Sequence, residues 1–227
     1  AQVNNTNIAV DCNYNIHTTK NCYLYKYDEN GNLLWDIKVE DKITYRNVIF
    51  SVSADGTRIM LRDTTGEKIY SYKTIDGTKD VEFTPSISEE VDIRFLFYGE
   101  YDSQMNFIIG IQMESGTQIL VKFNSSGLNN IWALGDLVFT RVGIRSFGVD
   151  KDDNVWAFRK ISYDPKILIK IGKYSGNILC SVNTEGTMLV PLSNGDVATA
   201  SLQSNVMTLN RFNTNAELQK TETYNGV

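Results

Sequence analysis

One histidine, three cysteines and three prolines are spread over 227 residues. With a single histidine, any Ser–His–Asp or Cys–His nucleophile would have to use His17. No Gly-x-Ser-x-Gly sequence accompanies it, and Cys22 lies too near in sequence to suggest a designed pair. Few prolines and few Ala-rich or Leu-rich runs leave the helical signal weak throughout. No apolar run approaches the roughly 18–20 residues of a membrane span. Gly-x-Gly-x-x-Gly and Gly-x4-Gly-Lys-Ser/Thr are both absent, so nucleotide chemistry has no support. Basic residues number 22 against 27 acidic ones, are scattered, and leave a net charge of −5. That balance argues against a nucleic-acid partner, which needs clustered Lys and Arg.

Apolar residues make up 42% of the chain, with 12 Tyr and 10 Phe, and Asn is frequent in turns. The mix favours strands and tight turns around a buried core. The clearest unit runs from Tyr23 to Val39: a strand, a turn at Asn30-Gly31, and a second strand carrying Trp35. Comparable turns follow at Asp76-Gly77, Ser126-Gly127, Ser175-Gly176 and Asn215-Ala216. Positions 31, 77, 127, 176 and 216 are 46, 50, 49 and 40 residues apart.

Each of the last four turns is preceded by another hairpin signal. These are Asp55-Gly56, Tyr101-Asp102-Ser103, Asp152-Asp153-Asn154 and Asn194-Gly195. Asp-Gly and Asn-Gly suit two-residue hairpins because both central positions tolerate positive φ. The first unit is irregular, with an early turn expected between Asp11 and Asn15. Two hairpins per unit give four strands, and four strands at a period of about 45 residues mark a propeller blade. The expected fold is an all-β propeller, most simply five four-stranded blades, otherwise a fragment of a larger ring. A β-sandwich shares the short strands but not the paired turns. One domain is expected over 1–227, with approximate blades at 1–45, 46–90, 91–140, 141–185 and 186–227.

Asp28, Gly31 and Trp35 resemble the tryptophan-docking motif of PQQ-like propellers, in which Trp follows Gly by four residues. Gly176 to Cys180 keeps that spacing with Cys in place of Trp, and Gly127 to Trp132 carries one extra residue. The segment from Phe147 to Trp156 is similar to sensor-type propeller repeats, and the unit as a whole is also similar to WD40-like blades. The resemblance implies blade architecture, with Trp35, Trp132 and Trp156 as packing residues and Trp35 wedged, largely buried, between neighbouring blades. Quinone binding does not carry over, because those enzymes are much longer and neither an adjacent-cysteine pair nor a calcium-ligand cluster is present. No cofactor is expected.

Cys12, His17 and Cys22 read Cys-x4-His-x4-Cys, a zinc knuckle lacking its first cysteine, whose place is held by Ala9. Structural zinc takes four ligands, so Cys180 would have to complete the set. A Cys12–Cys22 disulfide in an exported protein, or three reduced thiols and a surface histidine, are the alternatives. Asp11, Asp92 and Asp150 are the candidate carboxylates for a five-bladed glycoside hydrolase, each near an early strand of its blade. Residues 150–154 have the acidic density of a calcium loop but lack the Gly and distal Glu of an EF-hand, and a solvated hairpin tip is the simpler reading. Ala1-Gln2 suits the residues after signal-peptide cleavage. With the Asn-, Tyr- and Thr-rich composition, it points to an extracellular, cell-surface or virion setting. The expectation is a non-enzymatic propeller that binds protein or surface glycan on its loops; the alternative is a glycan-processing enzyme.

Overall fold

The computed structural model describes residues 8–10, 16–20, 23–38, 48–62, 68–87, 93–137, 147–160 and 166–226. Every described element is a strand, and the strands form five four-stranded antiparallel sheets in chain order. The first holds β1 (Ile8–Val10), β2 (Ile16–Lys20), β3 (Tyr23–Tyr27) and β4 (Leu33–Lys38). The second holds β5 (Val48–Val52), β6 (Arg58–Arg62), β7 (Ile69–Lys73) and β8 (Lys79–Phe83). The third holds β9 (Ile93–Tyr101), β10 (Phe107–Met113), β11 (Gln118–Phe123) and β12 (Asn130–Leu134). The fourth holds β13 (Phe147–Val149), β14 (Val155–Arg159), β15 (Ile167–Ile171) and β16 (Ile178–Asn183). The fifth holds β17 (Met188–Pro191), β18 (Val197–Gln203), β19 (Val206–Phe212) and β20 (Leu218–Asn225). The five sheets match the expected number of blades. Among the described residues no helix is long and apolar enough to cross a membrane.

The repeat is set by its turns. Gly31, Gly77, Gly127, Gly176 and Ala216 all have positive φ, as do Gly56, Met105, Asp153 and Gly195 in the earlier hairpins. In the third sheet the early turn runs from Asp102 to Asn106, slightly beyond the Tyr101–Ser103 expected from sequence, because Met105 takes the left-handed conformation. The expected turn between Asp11 and Asn15 lies outside the described residues. Between the third and fourth strands, pairing slips by one residue at Lys26/Tyr27, Ser71/Tyr72, Lys170/Ile171 and Arg211/Phe212. A bulge at the same place in four sheets gives each outer strand the same added twist.

The chain divides into two compact units, residues 1–114 with 121–130, and residues 115–120 with 131–227. In the first unit, Leu24, Ile59, Leu61, Tyr70 and Tyr72 form a buried cluster, with Trp35, Ile37 and Val52 packed against it. Phe83 meets Phe107 and Phe123 at ring-centroid distances of 4.9 and 5.5 Å. In the second unit, Trp156, Phe158, Leu168, Leu189, Val197 and Phe212 make the core, joined by Cys180 and Val182.

One position recurs in every outer strand. It lies three residues beyond the carbonyl that closes the preceding loop: Asn32, Thr78, Asn129, Asn177 and Glu217. Its occupants are Trp35, Val81, Trp132, Cys180 and Lys220. Trp35 Nε1 donates to Thr74 O at 3.1 Å and Trp132 Nε1 to Lys173 O at 3.1 Å, in each case in the next sheet's turn. Cys180 Sγ sits 3.8 Å from Thr214 O in the corresponding turn. The rings lie on glycine. A Cβ on Gly77 would come within 3.3 Å of Trp35, and one on Gly176 within 3.0 Å of Trp132. Opposite the smaller Cys180 the turn carries Ala216 instead, buried and with φ of 64°. The wedge expected of Trp35 is present, but Trp35 is half-buried, whereas Trp132 is only 6% exposed.

Candidate functional site

Asp150 follows β13 and begins the hairpin to β14. Its Oδ1 accepts from the backbone N–H of Asp152 at 2.9 Å and of Asn154 at 3.0 Å. Oδ2 lies 3.1 Å from Lys170 Nζ on β15, an ion pair rather than a directed hydrogen bond. Both residues are buried, and the ammonium also sits 5.3 Å from the centre of the Trp156 ring.

This arrangement is a repeat feature. Asp28, Asp102 and Asn213 cap their own turns in the same way, accepting from the N–H groups two and four residues on. Short Asx side chains take this role because they mimic a backbone turn. Asp102 also pairs with Lys122 Nζ at 2.7 Å, and both are buried. Burial pushes the Asp102 carboxyl up, but Lys122 and the Asn106 side chain and N–H outweigh it and hold it below the ordinary carboxylate range. In the fifth sheet the buried Asp196 takes Arg211, whose guanidinium is half-exposed, at 2.6 Å. Where the second sheet has Ser71 in the cation's place, its hydroxyl shares a 2.7 Å hydrogen bond with the Tyr101 hydroxyl.

Asp150 is therefore engaged on both oxygens. Asp11 and Asp92 lie outside the described residues, as do Cys12 and Cys22. His17 is placed by its backbone only, opposite Ala9 on β1 and Lys26 on β3. Cys180 stands at the recurrent docking position, half-buried, and burial pushes its thiol up despite the nearby Lys170 ammonium. A raised thiol is a poor nucleophile and a poor metal ligand, since both roles need the thiolate. Among the described residues no three of His, Cys, Asp and Glu come together.

A different site lies in the second unit. The strands β18, β19 and β20 run 7, 7 and 8 residues, whereas β14, β15 and β16 run 5, 5 and 6. One face of the fifth sheet begins with the buried Leu189, Val197, Thr199 and Phe212. The same face continues outward along the register Ser201↔Thr208 and Gln203↔Val206 into a cleft of about 650 Å³. Its opposite wall is the end of β16 and the loop through Glu185. Asn183, Ser201, Gln203, Ser204 and Thr208 line it, and their side chains hold no hydrogen bond among the described residues. Val182, Val206 and Leu218 supply apolar surface, Leu218 being 56% exposed. Glu185 is the one charged lining residue, and it lies in the field of Lys166. Motif-based reading passed over these residues. The signal available was Thr199, Ser201, Thr208 and Asn210 at positions where the fourth sheet's register carries Ala157, Arg159, Ile167 and Ile169.

No family model and no curated protein matches the chain. Among solved structures it is similar to the β-propeller domain of Cps50 (Swd1) from Myceliophteria thermophila, at 10% identity and a TM-score of 0.69, over 99% of this chain and 73% of that one. It is similar to BamB from Moraxella catarrhalis at 14% identity and a TM-score of 0.54, over 95% of this chain and 63% of that one. It is also similar to hydrazine synthase from Kuenenia stuttgartiensis at 8% identity and a TM-score of 0.65, over 96% of this chain and 65% of that one. The chain thus spans less than two thirds of the latter two. Identities this low speak to the fold alone. With five sheets of four antiparallel strands and neighbours of both WD40-like and PQQ-like kind, the fold is a β-propeller with five four-stranded blades.

Proposed function

We propose that the protein is a non-enzymatic interaction module that holds a protein or surface glycan on its propeller. The observation that supports this reading is the contrast between its polar groups. The buried carboxylates Asp102 and Asp150 are tied to their own turns and to Lys122 and Lys170, whereas the cleft of the fifth sheet presents amides and hydroxyls without partners among the described residues. A glycosidase needs one carboxyl kept protonated and a second free to attack or to activate water. A carboxylate that caps a turn and neutralises a buried ammonium serves neither role. Rigid sheets carrying a polar cleft suit recognition.

The test incubates the purified protein with soluble polysaccharides and follows reducing ends alongside binding to a glycan array. Binding without release of reducing ends supports the module. Steady release of reducing ends, whether or not it survives Asp150→Asn, points to a glycan-processing enzyme and overturns the reading.

A further inference from the structure

We infer that the outer half of the fifth blade binds a neutral glycan chain in the cleft between β16 and β18–β19. The inference rests on the binding-module reading and specifies its ligand. It starts from strand length. The fifth sheet carries two residues more than the fourth in each of its last three strands. The inner part of its face is occupied by the shared apolar core, and the surplus leaves the outer part open.

The chemistry of that open part selects the ligand. Asn183 and Gln203 each offer a carbonyl and an NH2, while Ser201, Ser204 and Thr208 each offer a hydroxyl that both donates and accepts. A sugar ring presents the same mixture of donors and acceptors. Its C–H face needs apolar surface, which Val182, Val206 and Leu218 provide. Other ligands fit less well. Phosphate or a nucleic acid would need Lys or Arg, and none lines the cleft. A protein partner would need aromatic or Arg anchors; the one aromatic lining residue, Phe212, is 3% exposed and belongs to the core. An acidic polysaccharide would meet Glu185 with no lining cation to offset it.

Neutral hydrogen bonds exchange evenly with water, so binding at each site is weak and is best read on polymers. The test is affinity electrophoresis of the full chain through native gels containing soluble β-glucan, galactomannan, arabinoxylan or dextran, with polygalacturonate as the charged comparison. Retardation by at least one neutral polymer and none by polygalacturonate is expected. Asn183→Ala and Gln203→Ala, both at exposed positions, should each weaken that retardation about tenfold, as expected for the loss of a directed contact. Thr208→Trp should abolish it by filling the cleft; thermal melts confirm that each variant is folded. Retardation by no neutral polymer, or retardation unchanged in folded variants, overturns the inference. In the second case the module reading stands with its site elsewhere. Release of reducing ends from any of these polymers would instead overturn the module reading itself.

Discussion

The fourth and fifth sheets share a template and use it differently. Both slip register at the same place, after Lys170 and after Arg211. Register equates Trp156, which pairs with Lys170, to Ala198, which pairs with Arg211. By the same register Phe158 corresponds to Ala200 and Leu168 to Leu209. On the fourth sheet's face Trp156, Phe158 and Leu168 are fully buried, with Cys180 and Val182 partly buried on the outer strand. On the fifth, the equivalent outer-strand positions are Lys220 and Glu222, which pair with each other at the surface. The turn and the bulge define the blade, and the side chains laid on that frame decide whether a face packs or stays open.

The comparison breaks most visibly at Trp156. Trp156→Ala removes a fully buried indole from the shared core and is expected to cost about 3–5 kcal/mol in chemical denaturation. A cost under about 1 kcal/mol would mean that the two sheets are not packed as described. Next comes the cation. Lys170→Ala leaves Asp150 buried without its counter-ion, at an expected cost of about 3–5 kcal/mol.

The docking position offers a sharper, non-additive test. Trp35 and Trp132 face glycine, while Cys180 faces Ala216. Cys180→Trp should overpack that contact by about 1–3 kcal/mol. Adding Ala216→Gly should recover most of the loss, because it removes the opposing methyl and relieves an alanine held at φ of 64°. Additive effects in the double-mutant cycle would show that the two residues do not share the contact.

The smallest effect is expected at Arg211. Arg211→Ala, which removes a half-exposed and solvent-screened guanidinium, should cost about 1 kcal/mol or less. Burial raises the Asp196 carboxyl, but Asn194 and Arg211 together bring it below its ordinary value. A lowered folded-state pKa means that the stabilisation is present above the unfolded value of about 3.9 and fades as pH falls through the folded one. The difference between Arg211→Ala and the unaltered protein should therefore shrink on acidification from pH 6 to about pH 3. A difference that grows instead would contradict the assignment.

Much of the blade plan is legible in the chain because it rests on local rules. Gly31, Gly77, Gly127 and Gly176 mark turns that need positive φ, and the turn residues around them mark the period. The extra residue between Gly127 and Trp132 looked like a departure from the motif. The loop from Asn124 to Asn129 absorbs it, being one residue longer than that from Asp28 to Asn32, and Trp132 lands where Trp35 does. What depends on register was not legible. Asp150 reads as a free carboxylate until β14–β15 pairing brings Lys170, on the next strand, against it. Cys180 reads as a thiol until its strand places it at a docking position. The cleft left no motif at all, because uncharged amides and hydroxyls carry no signature until strand lengths show which of them lie uncovered.

The proposed reading has this propeller recognise a ligand through the open half of its fifth blade without processing it. It is tested most directly by an amide chemical-shift titration of the labelled protein with a neutral hexasaccharide cut from whichever polymer retards it. The account predicts saturable shifts concentrated at residues 182–185 and 201–210, with the saccharide recovered intact. Shifts centred elsewhere, or conversion of the hexasaccharide to shorter products, would contradict it.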